Sequence, residues 1–333
     1  MRLVSLIIAV FFLIMMANGC SHQPSYRYYE GEVWHTRFHI TYKSLIDLTD
    51  SIDDIFYEVE MSLSPFVDSS AISRINRNET MITDTLIRKV FLTSVEINRL
   101  SGGSFDPTVA PLVNLWGFGY LETDSSPSLE DVGDALATVG LNDCAIDSNG
   151  FMVKKTPETQ FNFSAITKGL GCDMIADMLV RNEVDDYIVE IGGEIVMKGV
   201  NEQGHRWAVQ IDSPVVGDSV ALSIPFAVIK PGDCGLATSG NYRNFHRDQS
   251  GERIIGHTIS PLTGYPVYSS LVSATVIASD CITADALATA CMAMSVDSAV
   301  AMIEARPESS ALFIIYENQS LVPLATSGFP WFR

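Results

Sequence analysis

SLVSATVIASDCITADALATACMAM, residues 270–294, is the stretch whose reading decides the fold. Residues 270–279 are apolar and β-branched and end in polar residues, the mark of a buried strand. Residues 283–294 are rich in Ala and Leu and predict a helix that opens at the capping-type residue Thr283. Asp285 and Thr289 stand four apart, which sets a carboxylate and a hydroxyl one turn apart on one helical face. Both are hard oxygen donors of the kind Mg2+ takes. The same residues equally suit a cap and a packed core position.

Working outward, a helix is expected over 296–305 and a strand over 311–316. Upstream, strands are expected over 186–199, 206–212, 220–230 and 254–260, with 215–235 as a hairpin excursion. In the first half, a strand runs from Glu32 to Tyr42, and amphipathic helices cover 44–62, 84–101, 128–139 and 165–181. Units of strand, helix and parallel strand do not alternate along the chain. The expected class is therefore α+β, with mostly antiparallel sheets, packed helices and a single enzyme unit in two lobes.

The chain has 333 residues, 47% hydrophobic and 18% charged, enough for a substantial core. Its net charge of −19 argues against a nucleic-acid partner, since phosphate backbones are gripped by Lys and Arg clusters. A phosphate ligand remains compatible, provided that it arrives with a metal or is held by backbone amides.

The first residues read as a targeting segment. Arg2 precedes the apolar stretch Leu3 to Met16, which is too short to span a bilayer comfortably. Ala17-Asn18-Gly19-Cys20 resembles the lipobox of bacterial lipoproteins, which implies a signal peptide over 1–19, cleavage before Cys20 and acylation of that cysteine. The mature chain would be exported, periplasm-facing and anchored to a membrane by lipid. Residues 20–31 would form a tether and 32–333 the folded unit. Cys144, Cys172, Cys234, Cys281 and Cys291 are scattered, without a Cys-x-x-Cys pair, and read as small apolar core residues.

Five segments carry candidate chemistry. Ser101-Gly102-Gly103-Ser104-Phe105-Asp106-Pro107-Thr108 ends a helix in a turn. It is either a glycine cap with Asp106 bonding its own turn, or a ligand loop in which Phe105 offers an aromatic surface. Asn162 to Gly169 leads into a helix whose free amides, with Lys168, suit a phosphate; the plainer alternative is a Ser/Thr cap beside a solvated lysine. Glu190-Ile191-Gly192-Gly193-Glu194 ends a strand in a tight turn. Gly235 to Arg243 reads as a small-residue loop. His257-Thr258-Ile259-Ser260-Pro261-Leu262-Thr263-Gly264 sets a histidine beside a Pro/Gly turn, a structural or a catalytic arrangement.

Together these blocks resemble the ApbE family, the FAD:protein FMN transferases, from about residue 32 to 305. The matching blocks are Gly103 to Gly119, with Val113-Asn114-Leu115-Trp116-Gly117-Phe118-Gly119 inside it, then Ser164 to Gly169, Glu190 to Glu194, Ala237 to Arg243, His257 to Gly264 and Asp280 to Ala290. The resemblance implies a T-fold-like enzyme that binds FAD and Mg2+. It would move FMN from FAD to a Ser or Thr hydroxyl of a target protein, forming a phosphoester and releasing AMP. Positioning and charge neutralisation dominate such chemistry. By the resemblance, Asp285 and Thr289 hold the metal by side chains and Ala165 by its carbonyl, with the Ala288 backbone close by. Ser104, Phe105, Asp106, Lys168 and Ile259 take FAD-contacting positions, and His257 is the general base on the incoming hydroxyl.

Three further flavin-site positions depart from the family pattern. Asn162 stands where Asp is common, Phe66 where Tyr or Trp is usual, and Trp34-His35-Thr36 where Met-Gly-Thr is usual. Phe66 keeps stacking without a hydroxyl, and Trp34 would cover a ring of the ligand. Asn241 likewise replaces a common Asp. The implied partners are exported or membrane-attached flavoproteins of respiratory electron transport that carry a Ser/Thr sequon. The alternatives are a Mg-dependent FAD pyrophosphatase, which shares every motif, and a non-enzymatic FAD-binding lipoprotein.

Overall fold

The computed structural model describes residues 23–120, 127–214, 225–240, 245–247 and 254–331. Residues 1–19, where a signal peptide is expected, lie outside the described residues, as do Cys20 and Asn241. Eight strands form one sheet: β1 (Ser25–Val33), β2 (Thr36–Ser44), β3 (Tyr187–Ile191), β4 (Glu194–Lys198), β5 (Cys234–Gly240), β6 (Leu271–Ala278), β7 (Ser310–Glu317) and β8 (Ser320–Ala325). They lie side by side in chain order, and every neighbouring pair is antiparallel. The helices are α1 (Thr49–Leu63), α2 (Ala71–Asn76), α3 (Thr85–Leu100), α4 (Ala110–Leu115), α5 (Leu129–Thr138), α6 (Ser164–Arg181), α7 (Cys281–Met292) and α8 (Val296–Glu304). Short ribbons pair Val209–Asp212 with Pro225–Ile229, Ala145–Ile146 with Met152–Val153, and Phe245–Arg247 with Ile254–Gly256. Among the described residues no helix is long and apolar enough to cross a membrane.

Period-two alternation splits the sheet residues between its two faces. Val196, Ala237, Val276 and Phe313 join the helices in the main core. Their neighbours Ile195, Leu236, Ile277 and Leu312 join a second core under the Val209–Asp212 ribbon. A third, small core holds Leu112 of α4, Val132 of α5, Val139 and Ile259, and forms the lesser lobe. The α+β class and antiparallel sheet match expectation, and the five cysteines described are all buried free thiols.

Several elements differ from expectation. Most of the tether expected over 20–31 is strand β1 from Ser25 onward, where Tyr29 bonds Asp53 at 2.7 Å and Tyr26 bonds the Val200 carbonyl at 2.7 Å. The single strand expected from Glu32 to Tyr42 is a hairpin. Its turn is Trp34-His35, with φ of 48° and 61°, a primed turn built without the glycine or asparagine that usually announces one. The loop expected at Gly235 is strand β5. Its small residues let the first turn of α7 lie against it: a Cβ at Gly235 would sit 2.3 Å from the Cys281 nitrogen. Helix α7 begins before Thr283 and is capped by Asp280, whose Oδ1 accepts from the Thr283 N–H at 2.9 Å. Helices α2 and α4 and strand β8 are additions to the expected elements.

Candidate active site

The site is built on one stripe of α6. Asn162 Oδ1 accepts from the Ser164 N–H at 2.9 Å and turns the chain into the helix, so the Ser/Thr cap weighed above is replaced by an asparagine two residues upstream. Ala165, Gly169 and Asp173 then recur every four residues and share a face. Gly169 has no Cβ because there is no room for one: it would stand 2.5 Å from the Cys281 carbonyl oxygen and 2.9 Å from Asp285 Cβ. This close crossing lets the Gly169 N–H donate to Asp285 Oδ2 at 3.0 Å. Gly169 meets Cys281 and Asp285 while Asp173 meets Cys281 and Ile282. The helices therefore run antiparallel, and Thr289, one turn beyond Asp285, falls toward the Ala165 end.

Asp285 is only 1% exposed. Burial pushes its carboxyl above the ordinary range, while Lys168 and the Gly169 N–H pull it back. In a regular helix the Gly169 N–H would serve the Ala165 carbonyl. Asp285 competes for that proton, which leaves acceptor capacity on Ala165. Thr289 Oγ1 lies 3.3 Å from Ser239 Oγ on β5. Asp285, Thr289 and the Ala165 carbonyl thus form an all-oxygen set suited to a hard divalent cation, and a cation would offset the burial of the carboxylate. Ala288 is fully buried behind it. Among the described residues no group of three His, Cys, Asp or Glu side chains offers a rival metal cluster.

Lys168, beside this set, is within 3.4 Å of Glu194 on β4. Glu194 was not anticipated as a site residue. It is 3% exposed, and its Oε2 has no hydrogen-bond partner among the described residues. Burial pushes Glu194 up to about 8, Lys168 opposes this, and Asp285 adds to it. For Lys168, burial favours the neutral amine, but Glu194 and Asp285 outweigh it and hold the ammonium above its ordinary value. The lysine is therefore a paired charge at the site rather than a solvated one. The turn between β3 and β4 closes over it: Gly192 and Gly193 hold φ of 66° and 103°, and a Cβ on Gly192 would touch Thr36 Oγ1 at 2.9 Å and Lys168 Cδ at 3.3 Å.

The β1–β2 turn supplies the adjoining rim. Trp34 stands edge-on to Phe56 at 5.6 Å and reaches over Gly171 of α6, and its buried Nε1 has no partner among the described residues. Positive φ at a bulky residue costs energy and tends to persist at functional sites. Phe66, 54% exposed, lies 5.6 Å from the His35 ring and 6.1 Å from Tyr120, whose hydroxyl donates to Gln160 at 2.9 Å. Trp34 and Lys168 therefore border one region, with Phe66 beside the β1–β2 turn at its rim and Asn162 at the start of α6. Two buried polar atoms without a partner among the described residues, Glu194 Oε2 and Trp34 Nε1, belong to this region.

The loop after α3 corrects one expectation. Phe105 is 3% exposed and packs into the main core, so its ring offers no stacking surface. The Asp106 side chain organises the loop itself: Oδ1 accepts from Thr108 N and Oγ1 at 2.8 and 2.6 Å, and Oδ2 accepts from Leu141 N at 3.0 Å. What this loop can present to a ligand is its backbone and Ser104. The loop meets the 257–264 turn, since a Cβ on Gly103 would lie 3.1 Å from Leu262 Cδ2. That turn is held to the lesser lobe by Ile259 in its core and by Trp116 Nε1 donating to the Gly264 carbonyl at 2.9 Å. The His257 ring lies 6.4 Å from that of Phe118. The structure thus gathers Ala165, Lys168, Asp285 and Thr289 on the main lobe and carries His257 and Ile259 on the lesser one. A cleft of about 300 Å³ shares Thr36, Gly192 and Gly193 with the turn over Lys168 and is otherwise lined in part by Arg37, His39, Glu190 and Asp212; none of the expected site residues lines it.

Comparison with known proteins agrees with this architecture. The model of the ApbE family matches residues 34–313. The FAD:protein FMN transferase of Vibrio cholerae is 34% identical, with 97% of each chain covered, and that of Haemophilus influenzae is 32% identical, covering 98% of this chain and 97% of the relative. Among solved structures, the flavin transferase ApbE from Vibrio cholerae superposes with a TM-score of 0.82 at 34% identity, covering 92% of this chain and 98% of the other. The apo flavinyl transferase ApbE of Pseudomonas stutzeri gives a TM-score of 0.82 at 28% identity, over 93% and 98%. The chain belongs to the ApbE family.

Proposed function

We propose that this protein is an FAD:protein FMN transferase that moves FMN from FAD to a Ser or Thr hydroxyl of a target flavoprotein and releases AMP. The observation that carries the reading is the α6–α7 crossing. It presents a buried carboxylate, a hydroxyl and a backbone carbonyl together, with a paired lysine alongside. Mg2+, held by Asp285, Thr289 and the Ala165 carbonyl with Ala288 behind, would neutralise charge on the pyrophosphate. Lys168 adds a fixed cation on the same side. Trp34, Phe66, Ser104, Asn162 and Ile259 border the flavin nucleotide, with the backbone at Phe105 and Asp106. His257 takes the proton of the incoming hydroxyl.

The resemblance of Ala17 to Cys20 to a lipobox supports export and lipid anchoring at Cys20, with targets among exported or membrane-attached flavoproteins of respiratory electron transport. The test uses the full chain in detergent with FAD, Mg2+ and an acceptor domain bearing the sequon, read by intact mass. A gain of one FMN on the acceptor, abolished by chelator, supports the transferase. Free FMN and AMP with several unmodified acceptors would make it a pyrophosphatase, and bound FAD without turnover would make it a storage protein.

A further inference from the structure

We propose that Asp173 is a positioning residue for the divalent-cation site. Its buried carboxylate grips the first turn of α7 from the side, with Oδ1 accepting from the Cys281 N–H at 2.9 Å and Oδ2 from the Ile282 N–H at 2.8 Å. The next amide, that of Thr283, is taken by the helix's own cap Asp280. The first amides of α7 are thus satisfied from two helices, and the two bonds from Asp173 are the polar contacts that tie α7 to α6 at its start. Asp173 lies one turn beyond Gly169 and two beyond Ala165 on the same stripe. On α7, Asp285 lies one turn beyond Cys281 and Thr289 one turn beyond that. The two carboxylates therefore bracket the crossing in opposite senses: Asp173 of α6 holds amides of α7, and Asp285 of α7 holds the Gly169 amide of α6.

Helices in such a pair slide and rotate unless polar contacts fix their register. An octahedral cation site tolerates little sliding, because its oxygens must converge within about 2.1 Å of the ion. A two-point grip on successive amides restrains both the register of α7 and its rotation about its axis. Removing it leaves only the Gly169–Asp285 bond and the packing of the crossing to hold Asp285 and Thr289 against the Ala165 carbonyl. The inference rests on the assignment of Asp285, Thr289 and Ala165 to the cation.

The test measures Mn2+ and Ca2+ binding to the full chain in detergent, Mn2+ by the spin-resonance signal of the free ion and Ca2+ by competition against it, and FAD binding by fluorescence. Asp173→Asn is nearly isosteric and loses one acceptor; Asp173→Ala loses both. The expected result is at least tenfold weaker Mn2+ binding for Asp173→Asn, a smaller loss for the geometrically tolerant Ca2+, and an FAD dissociation constant within twofold of wild type. A narrowed Mn2+/Ca2+ preference is what a loosened site gives and a merely destabilised fold does not. Unchanged Mn2+ binding in Asp173→Asn, or a parallel loss of Mn2+, Ca2+ and FAD binding, would overturn the proposal. Wild-type Mn2+ binding that survives Asp285→Ala would instead remove the cation assignment, and the proposal with it.

Discussion

Three helical glycines allow the α6–α7 crossing to be tested by graded substitution. Replacing Gly by Ala inside a helix gains about 1 kcal/mol of intrinsic propensity when nothing else changes. At Gly133 in α5 a methyl meets nothing within 4 Å, so Gly133→Ala should gain close to that amount. At Gly171 the methyl would lie 2.6 Å from the far end of the Trp34 ring, a side chain that can tilt, and gain and strain should roughly cancel. At Gly169 the obstacle is backbone. The methyl would sit 2.5 Å from the Cys281 carbonyl oxygen, and ordinary contact begins at 3.4 Å, so α6 and α7 must part by about 0.9 Å. Overpacking of this kind costs about 1–3 kcal/mol, which leaves a net loss of about 0–2 kcal/mol after the propensity gain. The effect on the cation should be larger, because a parting of about 0.9 Å is intolerable to coordination at about 2.1 Å. Urea unfolding without metal, with Mn2+ binding measured in parallel, gives both quantities. The expected order of stability is Gly133→Ala, then Gly171→Ala, then Gly169→Ala, with Mn2+ binding lost only in the last. A Gly169→Ala protein as stable as Gly133→Ala, or one that binds Mn2+ like wild type, would refute the close crossing as the basis of the site.

Other expectations follow from the same geometry. Asp285→Ala should abolish metal-dependent turnover while FAD binding, followed by fluorescence, persists; full activity in this variant would break the metal assignment. His257→Ala should slow transfer far more than it weakens FAD binding, and equal losses in single-turnover kinetics would make His257 a binding residue. Burial raises Glu194 to about 8 and Asp173 to about 7, so both hold protons more tightly in the folded chain than in the unfolded one. Their stabilising contribution is then complete below the ordinary carboxylate range and declines as pH rises through 7 and 8. The urea midpoint of the metal-free protein should fall from pH 5 to pH 9, and Glu194→Gln should flatten the fall. A midpoint that rises over that range would contradict the burial argument.

The sequence made the element types legible where periodicity was long and strong, as in α3, α6 and the 270–294 stretch. It misled where small residues serve packing rather than turning. Gly235 belongs to a central strand because the start of α7 lies against it, a reason that exists only in three dimensions. The β1–β2 turn was invisible because Trp34 and His35 hold positive φ without the usual turn residues. The common helical face of Asp285 and Thr289 is legible from their four-residue spacing. Asp173 carried a readable signal that went unused: an acidic residue in an apolar helical run, at the same four-residue spacing as Ala165 and Gly169. Glu194 gave less warning, because a carboxylate following a Gly-Gly turn is ordinarily exposed. Only the fold shows that β4 enters the core there.

The burial of Glu194 bears on how so acidic a chain holds an anionic ligand. With Glu194 ionised, the local set of Lys168, Glu194 and Asp285 is net negative, and a divalent cation leaves it with a single positive charge toward a pyrophosphate. With Glu194 protonated, Lys168 and Asp285 balance, and a divalent cation then makes the site doubly positive. Burial in a low-dielectric wall favours the protonated form and so works in the direction of anion binding. The Glu194 Oε2 atom is buried and has no partner among the described residues, which also favours the neutral carboxyl. This gives Glu194→Gln a second, more specific outcome. The amide is neutral at every pH, so FAD binding in the variant should lose the weakening that wild type shows as pH rises toward 9. Glu194→Asp, which restores an ionisable group on a shorter stem, should recover it. If wild type and Glu194→Gln bind FAD with the same pH profile, the charge balance is set elsewhere, and Glu194 serves only to hold Lys168 in place.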